Sequence, residues 1–435
     1  MRGNKWLRLL AMLLALVLTA AGCGGSDDGD GEAADAGTDD AADDGGDEPA
    51  GDPEPTAGFD GSTITVGAIT PTSGRVAIIG NPLTNGNKVF FDQLNANGGI
   101  AGKYKVEMVV RDSKYESQTA IQEYNATKGD VVMYAQLLGT PIVNALLPQL
   151  DADGIVAAPA SLDAFWVREQ SLLPIGGPYQ VQMINGVDWY VNEGGGEGKK
   201  ICSLTQDDPY GEAGQSGLEF VADDLGIELG PQVTFTTGNA DFTTQINQLQ
   251  GASCETVALV ATPADAAGAL GKAAQGGYAP TWLGQSPSWL KVLFEGDLKE
   301  YAEANVKILS EGPNWGDESF PGMVEMTAAM AEHAPEQVPD PYFAFGYNQA
   351  KAVAQVLEAA VANGDLSHAG IIEAMNSLEE LTFGDLLGDY EWGAPEDRNP
   401  PRSTTIFRVD LTSPTGLTAE VVEYETEAAA EYEFE

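Results

Sequence analysis

Thr63-Ile64-Thr65-Val66-Gly67-Ala68-Ile69 is a β-rich run that opens onto the polar loop Thr70-Pro71-Thr72-Ser73-Gly74, then a helical stretch from Leu83 to Asn97 closed by Gly98-Gly99. Strand, loop, helix and glycine stop, in that order, begin a βαβ unit. The pattern continues outward with strands at Val106–Val110, Val131–Gln136 and Ile155–Ala158, separated by helices at Ser117–Lys128 and Ile142–Leu150. A second series follows the interruption Pro174–Pro178. Its strands are Ile201–Leu204, Val233–Thr236, Val257–Ala261 and Trp282-Leu283, and its helices are Val181–Asn192, Gly214–Leu225, Thr243–Gln250 and Ala264–Gln275. Past Lys307 come a strand at Ile308-Leu309, helices at Pro321–Glu332, Tyr342–Asn363 and His368–Ser377, and a strand at Thr404–Val409. Regular alternation predicts an α/β protein of two similar doubly wound lobes, each a parallel sheet covered by helices on both faces.

The chain's 435 residues exceed one ordinary core, and its 43% hydrophobic content is enough to fill two. Twenty-one Lys and Arg against 66 Asp and Glu give a net charge of −45, which excludes an electrostatic grip on nucleic acid. Two His, three Cys and no Cys-x-x-Cys pair leave no basis for a multi-ligand metal site, and no cofactor is expected.

Arg2, Lys5 and Arg8 precede an apolar run from Leu9 to Leu18 and the small residues Thr19-Ala20-Ala21-Gly22 before Cys23. Residues 1–22 read as a secretory signal peptide. Its end resembles the lipobox of bacterial lipoproteins, which implies a lipid on Cys23 and a place on the outer face of the cytoplasmic membrane. Residues 23–58 follow as a tether whose stretch from Gly24 holds thirteen acids and no base. Such a segment is expected to stay solvated and extended. Setting aside those acids and the leader's three bases leaves the body from Phe59 onward at −35.

In open parallel sheets, ligands meet the loops at the carboxyl ends of strands, where helix N-termini present backbone N–H groups. The loops there are hydroxyl- and Gly-rich, and they supply Thr72, Ser73, Leu138, Gly139, Thr140, Ala160, Ser161, Asp208, Tyr210, Thr262, Gln285 and Ser286 as candidate ligand contacts. Trp166, just beyond Ser161, is expected as an apolar wall of the cleft. Enzyme signatures are lacking: Gly214-Gln215-Ser216-Gly217 has the wrong spacing for a nucleophile elbow, Gly194–Lys200 lacks the P-loop pattern, and His333 and His368 have no nucleophile beside them. No catalysis is expected.

Cys202 and Cys254 remain once Cys23 is lipidated, in a compartment that permits disulfides. They sit at the start of the second lobe's first strand and just ahead of its third. A 2-1-3 strand order makes those strands neighbours with both Cys at one edge, so a Cys202–Cys254 disulfide is expected.

ITVGAITPTSG at 64–74, the run FFDQLNANGGIAGKYKVEMVVRDSKYESQTAI at 90–121, LLGTPIVNALLP at 137–148, IVAAPAS at 155–161, DDPYGEAG at 207–214 and ADFTTQINQL at 240–249 stand in an order that resembles the branched-chain amino acid and amide class of ABC-transporter substrate-binding lipoproteins. The resemblance implies a type I clamshell, with three interlobe crossings and a small-molecule ligand between the lobes. It also implies a membrane permease as partner and no enzymatic activity. A ligand-sensing receptor subunit of the same fold is the alternative. The protein is expected to be a monomer. The lobes are placed at 59–178 with 286–388, and at 179–285 with 389–435. By resemblance, the loops around Thr140 and Ser161 hold the ligand's α-carboxylate and part of its amino group, Tyr210 falls on the family's cleft tyrosine, and Thr262 on a position that is often aromatic. Leucine-type members carry an acid after the strand ending at Leu283, where this chain has Gly284-Gln285-Ser286. Asp208 is the expected substitute, unless the ligand has no amino group.

Overall fold

A computed structural model describes residues 51–434. The leader, Cys23 and the tether up to residue 50 lie outside the described residues. The first series of elements is β1 (Thr63–Thr70), α1 (Ala77–Ala96), β2 (Lys105–Asp112), α2 (Ser117–Thr127), β3 (Met133–Leu138), α3 (Thr140–Asp153) and β4 (Ala157–Ala160). The second is α4 (Tyr179–Asn192), β5 (Ile201–Gln206), α5 (Pro209–Leu225), β6 (Gln232–Phe235), α6 (Thr243–Gly251), β7 (Thr256–Val260), α7 (Pro263–Gln275), β8 (Thr281–Gln285), α8 (Lys299–Asn305) and β9 (Val306–Ser310). Then come α9 (Pro321–His333), α10 (Pro341–Ala362), α11 (His368–Ser377), β10 (Glu380–Leu381), β11 (Tyr390–Glu391), β12 (Thr404–Val409), β13 (Leu417–Tyr424) and α12 (Glu427–Glu431).

The strands form a four-stranded sheet ordered β2-β1-β3-β4 and a seven-stranded sheet ordered β13-β12-β9-β8-β7-β5-β6. All pairings in the first sheet are parallel; in the second, β12 runs antiparallel to both β9 and β13. Side-chain alternation explains the helices on both faces. In β3, Met133 and Ala135 join a core with α1, α9, α10 and α11, whereas Tyr134 and, past a register shift, Leu137 join a separate one with α2 and α3. In β7, Val257 and Leu259 pack toward α6 and α7, and Ala258 and Val260 toward α4 and α5. The chain passes between sheets three times: after β4, after β9, and ahead of β12.

Three expectations need correction. The passage 286–388 does not belong wholly with the smaller sheet, because β9 pairs with β8 and β12 in the larger one. Its helix α8 is only seven residues long, so this last βαβ unit has a weak helical signature. Nor does 389–435 begin in the larger lobe: β11 pairs with β10, and Tyr390 and Trp392 are buried in the core shared with α10 and α11. The final stretch of the tether is ordered, since Thr56 pairs with Phe59 and Asp52 accepts from the Tyr104 hydroxyl and pairs with Lys103.

Cys202 and Cys254 form a disulfide, with Cα atoms 5.8 Å apart across 52 residues of sequence. β5 and β7 are adjacent, with Cys202 opposite Val257.

Candidate functional site

A cavity of about 170 Å³ lies between the two sheets. Its polar end is built at strand carboxyl ends: Leu138, Gly139 and Thr140 after β3, Ala160 and Ser161 after β4, Thr262 after β7 and Ser286 after β8. Gly139 has φ +108°, and a Cβ there would come within 2.5 Å of the Tyr115 ring. Glycine therefore lets the phenol lie over the entrance to α3. Thr140 and Ser161 are buried with their hydroxyls 2.6 Å apart. The N-terminus of α3 has no side-chain cap, and its first residue, Thr140, lines the cavity.

Tyr115, Tyr179, Tyr210 and Tyr342 add four phenols to the lining. Burial pushes each above the ordinary tyrosine value, so all remain protonated. Tyr342 spends its hydroxyl across the cleft, donating to the carbonyls of Pro287 (3.0 Å) and Trp289 (3.1 Å). Tyr210 is 3% exposed, and its hydroxyl makes no well-formed hydrogen bond with a described residue. An orphaned buried donor on a cavity wall is a contact waiting for a ligand atom. No Lys, Arg or His lines the cavity among the described residues.

Most of the remaining wall is apolar. Trp289 and Leu417 come from the larger lobe, Met323, Leu386 and Leu387 from the smaller, and Trp315 from the crossing after β9. That crossing supplies Ser310, Glu311, Gly312, Pro313 and Trp315 in near-continuous sequence.

Eight expected contacts line the cavity: Leu138, Gly139, Thr140, Ala160, Ser161, Tyr210, Thr262 and Ser286. Five do not. Asp112 holds the Thr72 and Ser73 loop away from the cavity, accepting from Thr72 N–H (2.9 Å), the Ser73 hydroxyl (2.6 Å) and Lys114 N–H (3.0 Å). Burial works to raise the Asp112 pKa; the Ser73 hydroxyl and the backbone N–H groups outweigh it and hold it below the ordinary value. Trp166 is fully buried in the core of α2 and α3, with its indole N–H on Asn144 at 3.2 Å. Gln285 is buried behind the wall, donating to the Tyr179 carbonyl at 2.8 Å.

Asp208 is the fifth. It caps α5, one oxygen accepting from Tyr210 N–H (3.1 Å) and Gly211 N–H (3.2 Å), the other from the Gln206 amide (2.9 Å) and the Thr237 hydroxyl (3.4 Å). A carboxylate so occupied has no oxygen left to replace the missing family acid. The acid that does reach the cavity is Glu311, which the sequence reading passed over. Its signal was a Gly-Pro turn with a Trp directly after a strand.

Residues 63–416 match the periplasmic binding protein family. The chain belongs to that family. A fatty acid ABC transporter substrate-binding protein from Thermomonospora curvata shares 25% identity, with a TM-score of 0.82 over 88% of this chain and 97% of that one. A branched chain amino acid ABC transporter from Thermus thermophilus with bound valine shares 14% identity at a TM-score of 0.72, over 85% and 98% of the two chains, a likeness of fold alone. The Leu/Ile/Val-binding protein BraC3 of Rhizobium johnstonii is 34% identical over 71 residues, which span 16% of this chain and 19% of that protein. As a periplasmic binding protein the chain acts outside the cytoplasm and takes a small-molecule ligand, and its family implies an ABC transporter as partner.

Proposed function

We propose that this periplasmic binding protein captures an amphiphilic carboxylate, a carboxyl group on an apolar chain, and delivers it to an ABC permease. The observation that carries the reading is that neutral donors at the strand ends share the cavity with a mostly apolar wall. The carboxylate sits at the uncapped N-terminus of α3 with the Thr140, Ser161 and Tyr210 hydroxyls, where hydrogen bonds to a charged acceptor are at their strongest. The chain runs along Trp289, Trp315, Met323 and Leu387, where each buried methylene contributes about 0.8 kcal/mol. The fatty acid for which the Thermomonospora curvata relative is named agrees with this reading. A small polar amide or a free short amino acid would leave the apolar walls uncovered.

Capture follows from contacts made to both lobes at once. Tyr342 and the Arg75–Asp265 ion pair (3.4 Å) already join the lobes across the cleft, and a ligand touching both sheets stabilises that closed arrangement selectively. Cys23 is taken as the point of lipid attachment; labelled palmitate should enter the full chain and not its Cys23→Ala variant.

The test is a thermal-shift screen of the purified protein against straight-chain monocarboxylates, free amino acids and amides. A ligand at about a hundred times its Kd adds roughly 2.7 kcal/mol of stability. Stabilisation by medium-chain acids and not by valine or acetamide supports the reading, and stabilisation by valine alone overturns it.

A further inference from the structure

Glu311 is a half-buried acid for which the capture of a plain chain carboxylate gives no use. It follows β9 directly and lines the cavity. One oxygen accepts the Gly177 N–H at 2.8 Å; the other makes no hydrogen bond with a described residue. None of the ion pairs among the described residues includes it. The chain makes room for the carboxyl: Gly176 has φ +75°, and a Cβ there would lie 2.3 Å from Glu311 Oε1. Two glycines at the first crossing thus form a cradle for an acid at the second.

The carboxyl also lies near the polar end. Gly177, whose N–H it accepts, stands two residues before Tyr179 of the cavity lining. Burial pushes the Glu311 pKa from 4.5 up to about 7, against the pull of the Gly177 N–H, so no neighbouring cation offsets its desolvation. A carboxyl partly desolvated without a cation costs stability that a donor on a bound ligand would repay.

We propose that Glu311 is a specificity-determining residue that accepts a hydrogen bond from a donor substituent, a hydroxyl or an amine, carried on the ligand chain near its carboxylate. The inference rests on the chain-carboxylate reading and narrows it from plain acids to 2- or 3-substituted ones. Thr140, Ser161 and Tyr210 take the carboxylate, and Glu311 reads what stands beside it. An amine makes a charged pair with Glu311 and a hydroxyl makes a hydrogen bond, so the side chain serves one role with either donor.

The experiment is calorimetric titration of the full protein with decanoate, 3-hydroxydecanoate and 2-aminodecanoate, for the wild type and for Glu311→Leu, Glu311→Ala and Glu311→Gln. The wild type should bind a substituted acid roughly 10- to 100-fold more tightly than decanoate, the range of one hydrogen bond to a charged group. Glu311→Leu and Glu311→Ala should bring the ligands to parity; Ala carries the test should Leu not fold. Glu311→Gln should keep a preference for the hydroxyl and lose one for the amine. Decanoate bound as tightly as its substituted analogues, or a preference that survives both Leu and Ala, overturns the assignment and leaves the chain-carboxylate reading standing. Binding of none of the three acids overturns both.

Discussion

Replacing Tyr210 by Phe separates ligand recognition from folding, because the hydroxyl it removes makes no well-formed hydrogen bond with a described residue. The ring would stay where it is, packed 4.9 Å from the Tyr179 ring and 3% exposed. Loss of one hydrogen bond to a carboxylate costs about 1.5–3 kcal/mol, so Kd for the bound acid should rise roughly 10- to 150-fold. The melting temperature of the free protein should stay level or rise, since an unsatisfied buried donor is removed. Tyr342→Phe is the control with the opposite profile: its hydroxyl holds the Pro287 and Trp289 carbonyls, so stability should fall along with affinity. Calorimetric titration and scanning calorimetry on the two variants read both quantities. A Tyr210→Phe protein that binds within twofold of wild type would refute the ligand contact. One that melts several degrees lower would show that the hydroxyl is structurally engaged.

Loss of the Cys202–Cys254 disulfide, as the double Ser variant, frees a loop of 52 residues. The chain-entropy relation gives about 4 kcal/mol, or a drop of about 5 °C in a body of this size, and an unchanged melting temperature would contradict it. Arg75→Ala removes the interlobe pair with buried Asp265, but Arg75 is itself half-exposed, so the effect on affinity should be a few-fold, appear mainly in the off-rate, and vanish in high salt. Glu311 binds its proton more tightly folded, at about 7, than unfolded, at 4.5. Its contribution to stability is therefore complete below pH 4.5 and lost as pH rises through about 7. Glu311→Gln should be the more stable protein at pH 8 relative to wild type, by up to roughly 3 kcal/mol, with the difference shrinking toward pH 5. Equal differences at the two pH values would exclude Glu311 as the titrating group.

The alternating elements from β1 to β8 were legible because periodicity and glycine stops are local signals. Local signals also carried Gly139, Thr140 and Ser161, which stand where a strand end meets a helix start. Asp208 was misread although its role was written locally: an acid directly before Pro209 at a helix start is an N-cap with proline at the first helical position. Thr72 and Ser73 were not readable in the same way, since their partner Asp112 lies some 40 residues away and only the fold brings the loops together. Trp166 illustrates the limit of composition, because an aromatic after a strand end fits a cleft wall and a core equally well. The apolar part of the cavity, from Trp289 through Trp315 and Met323 to Leu387, joins segments far apart in sequence, so no window of sequence displays it.

The central claim is that the cavity holds a carboxylate by its head and an apolar chain along its walls. The most direct measurement is calorimetric titration of the purified protein with straight-chain acids from four to fourteen carbons, beside valine. Affinity should climb about fourfold per added methylene until the apolar walls are covered, then level off, with every medium-chain acid bound more tightly than valine. Affinity that ignores chain length, or valine bound most tightly of all, would contradict the account.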